Sequence, residues 1–277
     1  MVNANQNIKS PNVAGQFYPA DPKELSAEID GYLKQAQVAP DPQPVRMLIA
    51  PHAGYMYSAP VAAYSFKSAS LGKYKTVIVI GPSHYLGFDG ISIGLFDGYQ
   101  TPLGTIPVDL ELAKNLIDEK NGSSFVPEAF NREHSVEVEL PFIQKIFPDA
   151  KIIPILVGQP DLSVLDKFAH LLSDKLKTRT DILLVLSTDM SHYHPAAEAN
   201  AMDHATIETV KKFDVKNLWT GCVTRKLELC GFMPVTIGLL YAQYQGIHKI
   251  DFLKYADSGD ATGDKTKVVG YMAAVFK

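Results

Sequence analysis

Residues 181–194 read DILLVLSTDMSHYH. The run Asp181–Leu186 is almost wholly apolar and does not alternate, as in a strand buried on both faces. It breaks abruptly into Ser187-Thr188-Asp189-Met190-Ser191-His192-Tyr193-His194. The same arrangement occurs twice more. Val45–Ala50 (VRMLIA) runs into Pro51-His52-Ala53-Gly54-Tyr55, and Thr76–Ile80 (TVIVI) into Gly81-Pro82-Ser83-His84-Tyr85. In an open α/β sheet, ligands bind outside the carboxyl ends of the strands. Three parallel strands would therefore bring His52, His84, Asp189 and His192 to one rim. A single histidine after a strand is an ordinary loop residue. Four of the eight histidines (52, 84, 192 and 194) in three equivalent turns point to a shared site. Imidazole is the commonest metal ligand and the usual acid or base near neutral pH.

Outward from these runs, further apolar segments lie at Ile91–Leu95, Lys151–Val157 and Val268–Val275. Patterns of period near 3.6 lie at Pro22–Gln35, Asp109–Lys120, Ser135–Phe147, Leu162–Leu176, Ala196–Phe213 and Val235–Gln245. The alternation predicts an α/β sandwich, with a mixed, mostly parallel sheet and helices on both faces. The one linker-like stretch, QVAPDPQP at Gln37–Pro44, leaves too little before it for a separate domain, so residues 1–277 read as a single domain.

Composition narrows the function classes. The chain has 26 Lys+Arg against 30 Asp+Glu, a net charge of −4, and no basic stripe, which argues against nucleic acid. Its apolar runs are far too short for a membrane span. The N-terminus, MVNANQNIKSPNVAGQFYPAD, has no apolar segment behind a basic start and does not read as a signal peptide. Two cysteines, Cys222 and Cys230, make no disulfide framework. A reducing cytoplasm is the expected home.

Three more segments carry chemistry. In Glu133-His134-Ser135-Val136-Glu137, a helix would put His134 and Glu137 on one face, and Glu133 with Glu137. The same residues read equally as a solvated acidic face at a helix N-terminus. In Glu228-Leu229-Cys230-Gly231-Phe232-Met233-Pro234, Cys230 precedes a helix start, where a thiol gains thiolate character. The plainer alternative is a buried inert cysteine, which suits Cys222 better. Asp257–Asp264 (DSGDATGD) lacks EF-hand spacing and reads as a flexible loop between two late strands, placed over the site. Tyr55, Tyr57, Tyr85 and Tyr193 stand beside the histidines as candidate pocket lining, whereas His170, His204 and His248 read as structural or surface residues.

Taken in order, APHAGYMYS, GPSHY, EHSVEVELPF, LSTDMSHYH, ELCGFMP and SGDATGD…VVGYMA resemble the Memo protein family, whose prokaryotic members are called AmmeMemoRadiSam system protein B. The resemblance spans nearly the whole chain, from Gly15-Gln16-Phe17-Tyr18-Pro19 to the last strand. It implies the fold of class III extradiol dioxygenases and a metal pocket at the rim. It makes His52, His84 and Cys230 the metal-binding triad, with Asp189, His192 and Glu137 as neighbouring catalytic residues. It also implies a radical-SAM partner and an AMMECR-type partner.

The extradiol enzymes hold Fe(II) with two histidines and a carboxylate. Cys230 in the third place softens the site and widens the candidates to iron, copper or zinc, so dioxygenase activity does not follow from the fold. Glu137 in place of Cys230 would restore the carboxylate pattern. The function expected is a metal-dependent, dioxygenase-like redox enzyme holding one iron or copper ion. The alternatives are a non-catalytic module that binds a peptide, a partner protein or metal in the same pocket, cysteine chemistry with Cys230 as nucleophile and His192 as base, and a zinc hydrolase.

Overall fold

Each of the three runs that ends in a histidine turn is a strand with every residue buried: Met47–Ala50, Thr76–Pro82 and Ile182–Ser187. These come from a computed structural model that describes residues 7–277, so the reading of the N-terminus falls partly outside the described residues. Ile182–Ser187 lies between the other two and is parallel to both. Their unbroken apolar sequence follows from this central position, where neither face meets water. All three carboxyl ends accordingly emerge on one rim.

Lys151–Val157 adds a fourth parallel strand beside Thr76–Pro82. Beyond it Ile91–Ile93 pairs antiparallel, and Ser123–Ser124 follows. On the other side Val268–Phe276 runs antiparallel to Met47–Ala50 and pairs with both His192–His194 and Ile250–Asp257. The sheet is mixed, parallel through its centre and antiparallel towards both sides. A small separate sheet joins Ile8–Lys9, Gly98–Thr101 and Gly104–Pro107.

Six of the helices form two groups. Pro22–Gln35, Tyr55–Ser68 and Leu140–Ile146 pack together, as do Leu162–Leu176, Val215–Val223 and Phe232–Gln245. Pro22–Gln35 begins where its sequence predicts, because Asp21 accepts from the Lys23 and Glu24 N–H groups and Pro22 needs no partner of its own. No helix among the described residues is long and apolar enough to cross a membrane.

Several elements depart from the periodicity. Tyr55–Ser68 is a helix with residues buried around most of its circumference, so it carries no apolar stripe to betray it. Its first N–H, on Tyr55, is satisfied by Phe17 O at 2.7 Å rather than by a side-chain cap. The predicted helix over Ser135–Phe147 is a 3₁₀ turn at Glu137–Glu139 followed by an α-helix from Leu140. Pro141 fits the first turn of that helix and no later one. The predicted helix Asp109–Lys120 is shorter, Leu110–Asn115, with a 3₁₀ turn at Glu119–Asn121. The loop after Asp257 contains a short helix, Gly259–Thr262, and is tied by Lys265 to both Asp257 and Asp260.

Candidate metal-binding cleft

Two neighbouring strand ends build the floor of the site. Ala50 and Ser187 are register partners, so His52 and Asp189 emerge side by side. The His52 N–H donates to Asp189 Oδ1 at 2.8 Å. Cys230 arrives from the turn before the helix Phe232–Gln245: its N–H donates to Asp189 O at 3.2 Å, and its Sγ accepts from Asp189 N–H at 3.1 Å. That turn packs tightly, since a β-carbon on Gly231 would stand 2.5 Å from Ser187 O. Cys230 Sγ is thereby held 3.2 Å from His52 Nε2.

The third strand end supplies His84, whose N–H donates to Glu133 Oε2 at 2.5 Å and whose Nδ1 lies 2.9 Å from Glu133 Oε1. Burial would raise the Glu133 carboxyl, but bonds from the His84 ring and backbone bring it down to about 2. Glu133 is thus an ionised acceptor, and His84 Nδ1 carries the proton. His52 obeys the same logic. Its Nδ1 is 2.7 Å from Ser187 Oγ, which directs its single proton towards Ser135 O and Glu139 Oε1 at 2.6 and 2.8 Å. Towards His52, Ser187 can only accept. Both imidazoles therefore turn Nδ1–H outward and keep Nε2 bare, the arrangement that outer partners impose on metal-ligating histidines.

The His52 and His84 rings line one face of a cleft of about 760 Å³, together with Asp189 and His192; Cys230 is not part of that lining. Tyr57, Tyr85 and Tyr193 line it as expected, whereas Tyr55 is core, its hydroxyl donating to Val138 O at 2.9 Å. His194 faces away, its Nε2 3.1 Å from Glu228. The cysteine reading needs one correction: burial pushes the Cys230 thiol up, with Asp189 adding to it, so the helix start does not make it a thiolate. Burial raises Asp189 to about 7 and holds His52 well below its usual range.

Glu137 is the clear departure. Its carboxylate accepts from Asn12 N–H, Val13 N–H and Tyr18 O–H at 2.6, 2.9 and 2.7 Å. All these partners belong to the N-terminal segment, so Glu137 anchors that segment and does not line the cleft. The segment in turn presses Phe17 against the His134 ring, 4.8 Å between centroids. Glu137→Gln would set an amide against donors. The expected result is a stability loss of about 2–3 kcal/mol and faster tryptic cleavage at Lys9, with metal content unchanged. Stoichiometric metal loss in a folded variant would instead make Glu137 a ligand.

His134, read from sequence only as part of a helix face, lines the cleft. Burial lowers it to about 4 against the pull of Glu133, and its Nδ1 is buried with no hydrogen-bond partner among the described residues. The signal lay in its place next to Glu133, but the turn that aims it inward is not a local pattern. Two donor groups have mutually close ligand atoms, His52/His84/His134 and His52/Asp189/Cys230. The His84 and His134 rings are stacked, 4.7 Å apart and 10° from parallel, whereas His52 stands 78° from His84. Imidazole lone pairs lie in the ring plane, so the stacked pair is poorly disposed to share one ion as it stands, whereas the steep angle between His52 and His84 favours convergence. Cys230 stands beside His52, while His84 belongs to the other group, so His52 is the donor common to a nitrogen set and a sulfur-bearing set suited to a transition metal.

An α/β sandwich with a polar, metal-capable cleft at the carboxyl ends of its central parallel strands defines the class. Residues 9–275 match the Memo-like protein family, and the chain belongs to that family. It is 33% identical over 279 residues to a MEMO1 family protein of Caldivirga maquilingensis, covering 97% of this chain and 98% of that one. It is 34% identical to one from Thermotoga neapolitana, with 97% and 99% covered. The Methanosarcina mazei relative is also 34% identical, with 98% and 99% covered. The fold is shared with an uncharacterized protein of Escherichia coli K12 of solved crystal structure: TM-score 0.52, 14% identity, 82% of this chain and 99% of that one.

Proposed function

We propose that the cleft is a mononuclear transition-metal centre, held by His52 Nε2, His84 Nε2 and Cys230 Sγ, which carries out redox chemistry on a small molecule. The observation that carries this reading is the pair of outward Nδ1 contacts, to Ser187 and Glu133, that leave both Nε2 atoms bare, with the Cys230 sulfur 3.2 Å from that of His52. A thiolate with two imidazoles suits iron or copper, with zinc as the redox-inert competitor. Bound iron or copper would supply one-electron chemistry and polarise a ligand. The chain's own residues do the rest. Asp189, at about 7, gives or takes a proton near neutrality. His192, lowered by burial, is a neutral base on the cleft wall.

The test is metal content per chain in protein purified anaerobically without a metal-capturing tag. About one ion is expected in the wild type, none in His52→Ala or His84→Ala, and weakened retention in Cys230→Ser. His134→Ala should keep the metal, because its ring is stacked on a ligand and is not one itself. Full retention in both His52→Ala and His84→Ala would overturn the assignment.

A further inference from the structure

The loop that closes over the cleft uses nearly all of its own charge. Lys265 Nζ donates to Asp257 Oδ1 at 2.8 Å and to Asp260 Oδ1 at 2.6 Å. Asp264 Oδ1 accepts from the Thr266 N–H and hydroxyl at 2.9 and 2.6 Å. Val269 N–H is taken by Ser258 Oγ at 3.0 Å. These bonds give Asp257–Thr266 a set shape. Lys267 alone among the charged residues from Asp257 to Lys267 has no side-chain bond to the protein among the described residues. Among the described residues it is also the only lysine or arginine lining the cleft. Arg132, the nearest arginine in sequence to the cleft histidines, is spent over the Tyr85 ring, 5.2 Å from its centroid.

Much of the remaining lining is aromatic. Phe17, Tyr57, Tyr85, Tyr193 and Tyr271 line the same space. Tyr85 and Tyr193 stand at the mouth, 51% and 70% exposed, an unusual amount of ring surface to leave in water. Tyr193 keeps a left-handed backbone, φ 65°, which disfavours a residue with a β-carbon. A cleft of about 760 Å³ exceeds a single small anion and suits a ligand that spans from the ring-lined wall to the loop.

We propose that the cleft takes an aromatic anion, its ring among the tyrosines and its acidic group on Lys267 Nζ. Resting on the reading of this cleft as the ligand site of the metal centre, the proposal names the class of molecule on which that centre acts. Lys267 is then a specificity-determining residue. A lysine suits this position because its flexible stem follows anions of different shape, unlike the fixed fork of an arginine.

The test compares 2-naphthoate with the uncharged, similarly shaped 2-naphthamide by calorimetric titration, on as-purified and on metal-stripped protein. The wild type should prefer the anion by about tenfold or more in both preparations. Lys267→Ala should bring the two affinities to within about twofold and Lys267→Arg should keep the preference. Metal content should be equal in all three proteins. Equal affinities in the wild type, no binding of either probe at millimolar concentration, or a preference surviving Lys267→Ala would each overturn the proposal. A preference that survives Lys267→Ala but vanishes on metal stripping would assign the anion to the metal, sinking the lysine while leaving the metal centre standing. Absence of metal beside a Lys267-dependent preference would do the reverse.

Discussion

Loading Fe(II) into the metal-free protein is expected to release about one proton per chain above pH 8, and more below it. A ligating cysteine must lose its proton, and here burial, aided by Asp189, keeps the thiol protonated through neutrality. His52 contributes none, because burial and the neighbouring imidazoles keep it neutral well below the ordinary histidine range. Asp189 adds a second source. At about 7 it is partly protonated near neutrality, and the arriving cation favours its ionised form. Apparent affinity should therefore rise about tenfold per pH unit above pH 8 and more steeply below about pH 6. Calorimetric titrations in buffers of different ionisation enthalpy count these protons. Cys230→Ser should remove the constant proton, and Asp189→Asn only the excess at low pH. A wild-type protein that binds the metal with no proton release at pH 8 would show that Cys230 is not a ligand.

Asp189→Asn is expected to stabilise the metal-free protein by up to about 4 kcal/mol at pH 8 and by almost nothing at pH 4. The folded state holds this carboxyl at about 7, far above its value of 3.8 in an unfolded chain. Between those two values the folded state binds more protons than the unfolded state, so stability falls as pH rises through the window. Above about 7 the whole penalty is present. The cause is burial, which the N–H bond from His52 only partly offsets. Asparagine keeps an acceptor for that N–H and carries no charge. For a chain of this size the gain corresponds to roughly 8 °C or more in thermal midpoint at pH 8. Metal should shrink or reverse the effect, since a cation beside Asp189 favours the carboxylate. The same gain at pH 4 and pH 8, or none at either, would show that the charge of Asp189 is not the source of the strain.

Buried Glu139 carries a penalty of the same sign. Burial holds its carboxyl well above the usual range, and its Oε2 has no partner among the described residues. It is nevertheless 2.8 Å from the serine that orients His52. A folded state that tolerates two destabilising carboxyls around one imidazole keeps a polar cluster where an apolar core would be more stable.

Much of this arrangement follows from short-range sequence. Runs such as TVIVI and ILLVL lack any polar face, which forces them to the centre of a sheet covered on both sides. Parallel neighbours in such a sheet end on the same rim, so His52, His84, Asp189 and His192 share a cleft by topology alone. What only the tertiary structure decided is which way the EHSVE segment faces. An α-helix would put His134 and Glu137 on one side, but the 3₁₀ helix begins only at Glu137, and His134 lies before it, ahead of the Ser135–Val136 turn. That break sends His134 into the cleft and Glu137 to a segment 125 residues earlier. The supports of the candidate ligands were equally hidden. Ser187 and Glu133 reach histidines 135 and 49 positions away, and Cys230 reaches His52 across 178. Sequence by itself determined the strands, their order of burial and the rim that carries the histidines, because those depend on local periodicity and hydrophobicity. The tautomers, the ring that stacks and the free lysine depend on atoms brought together only by packing, for which no local pattern exists.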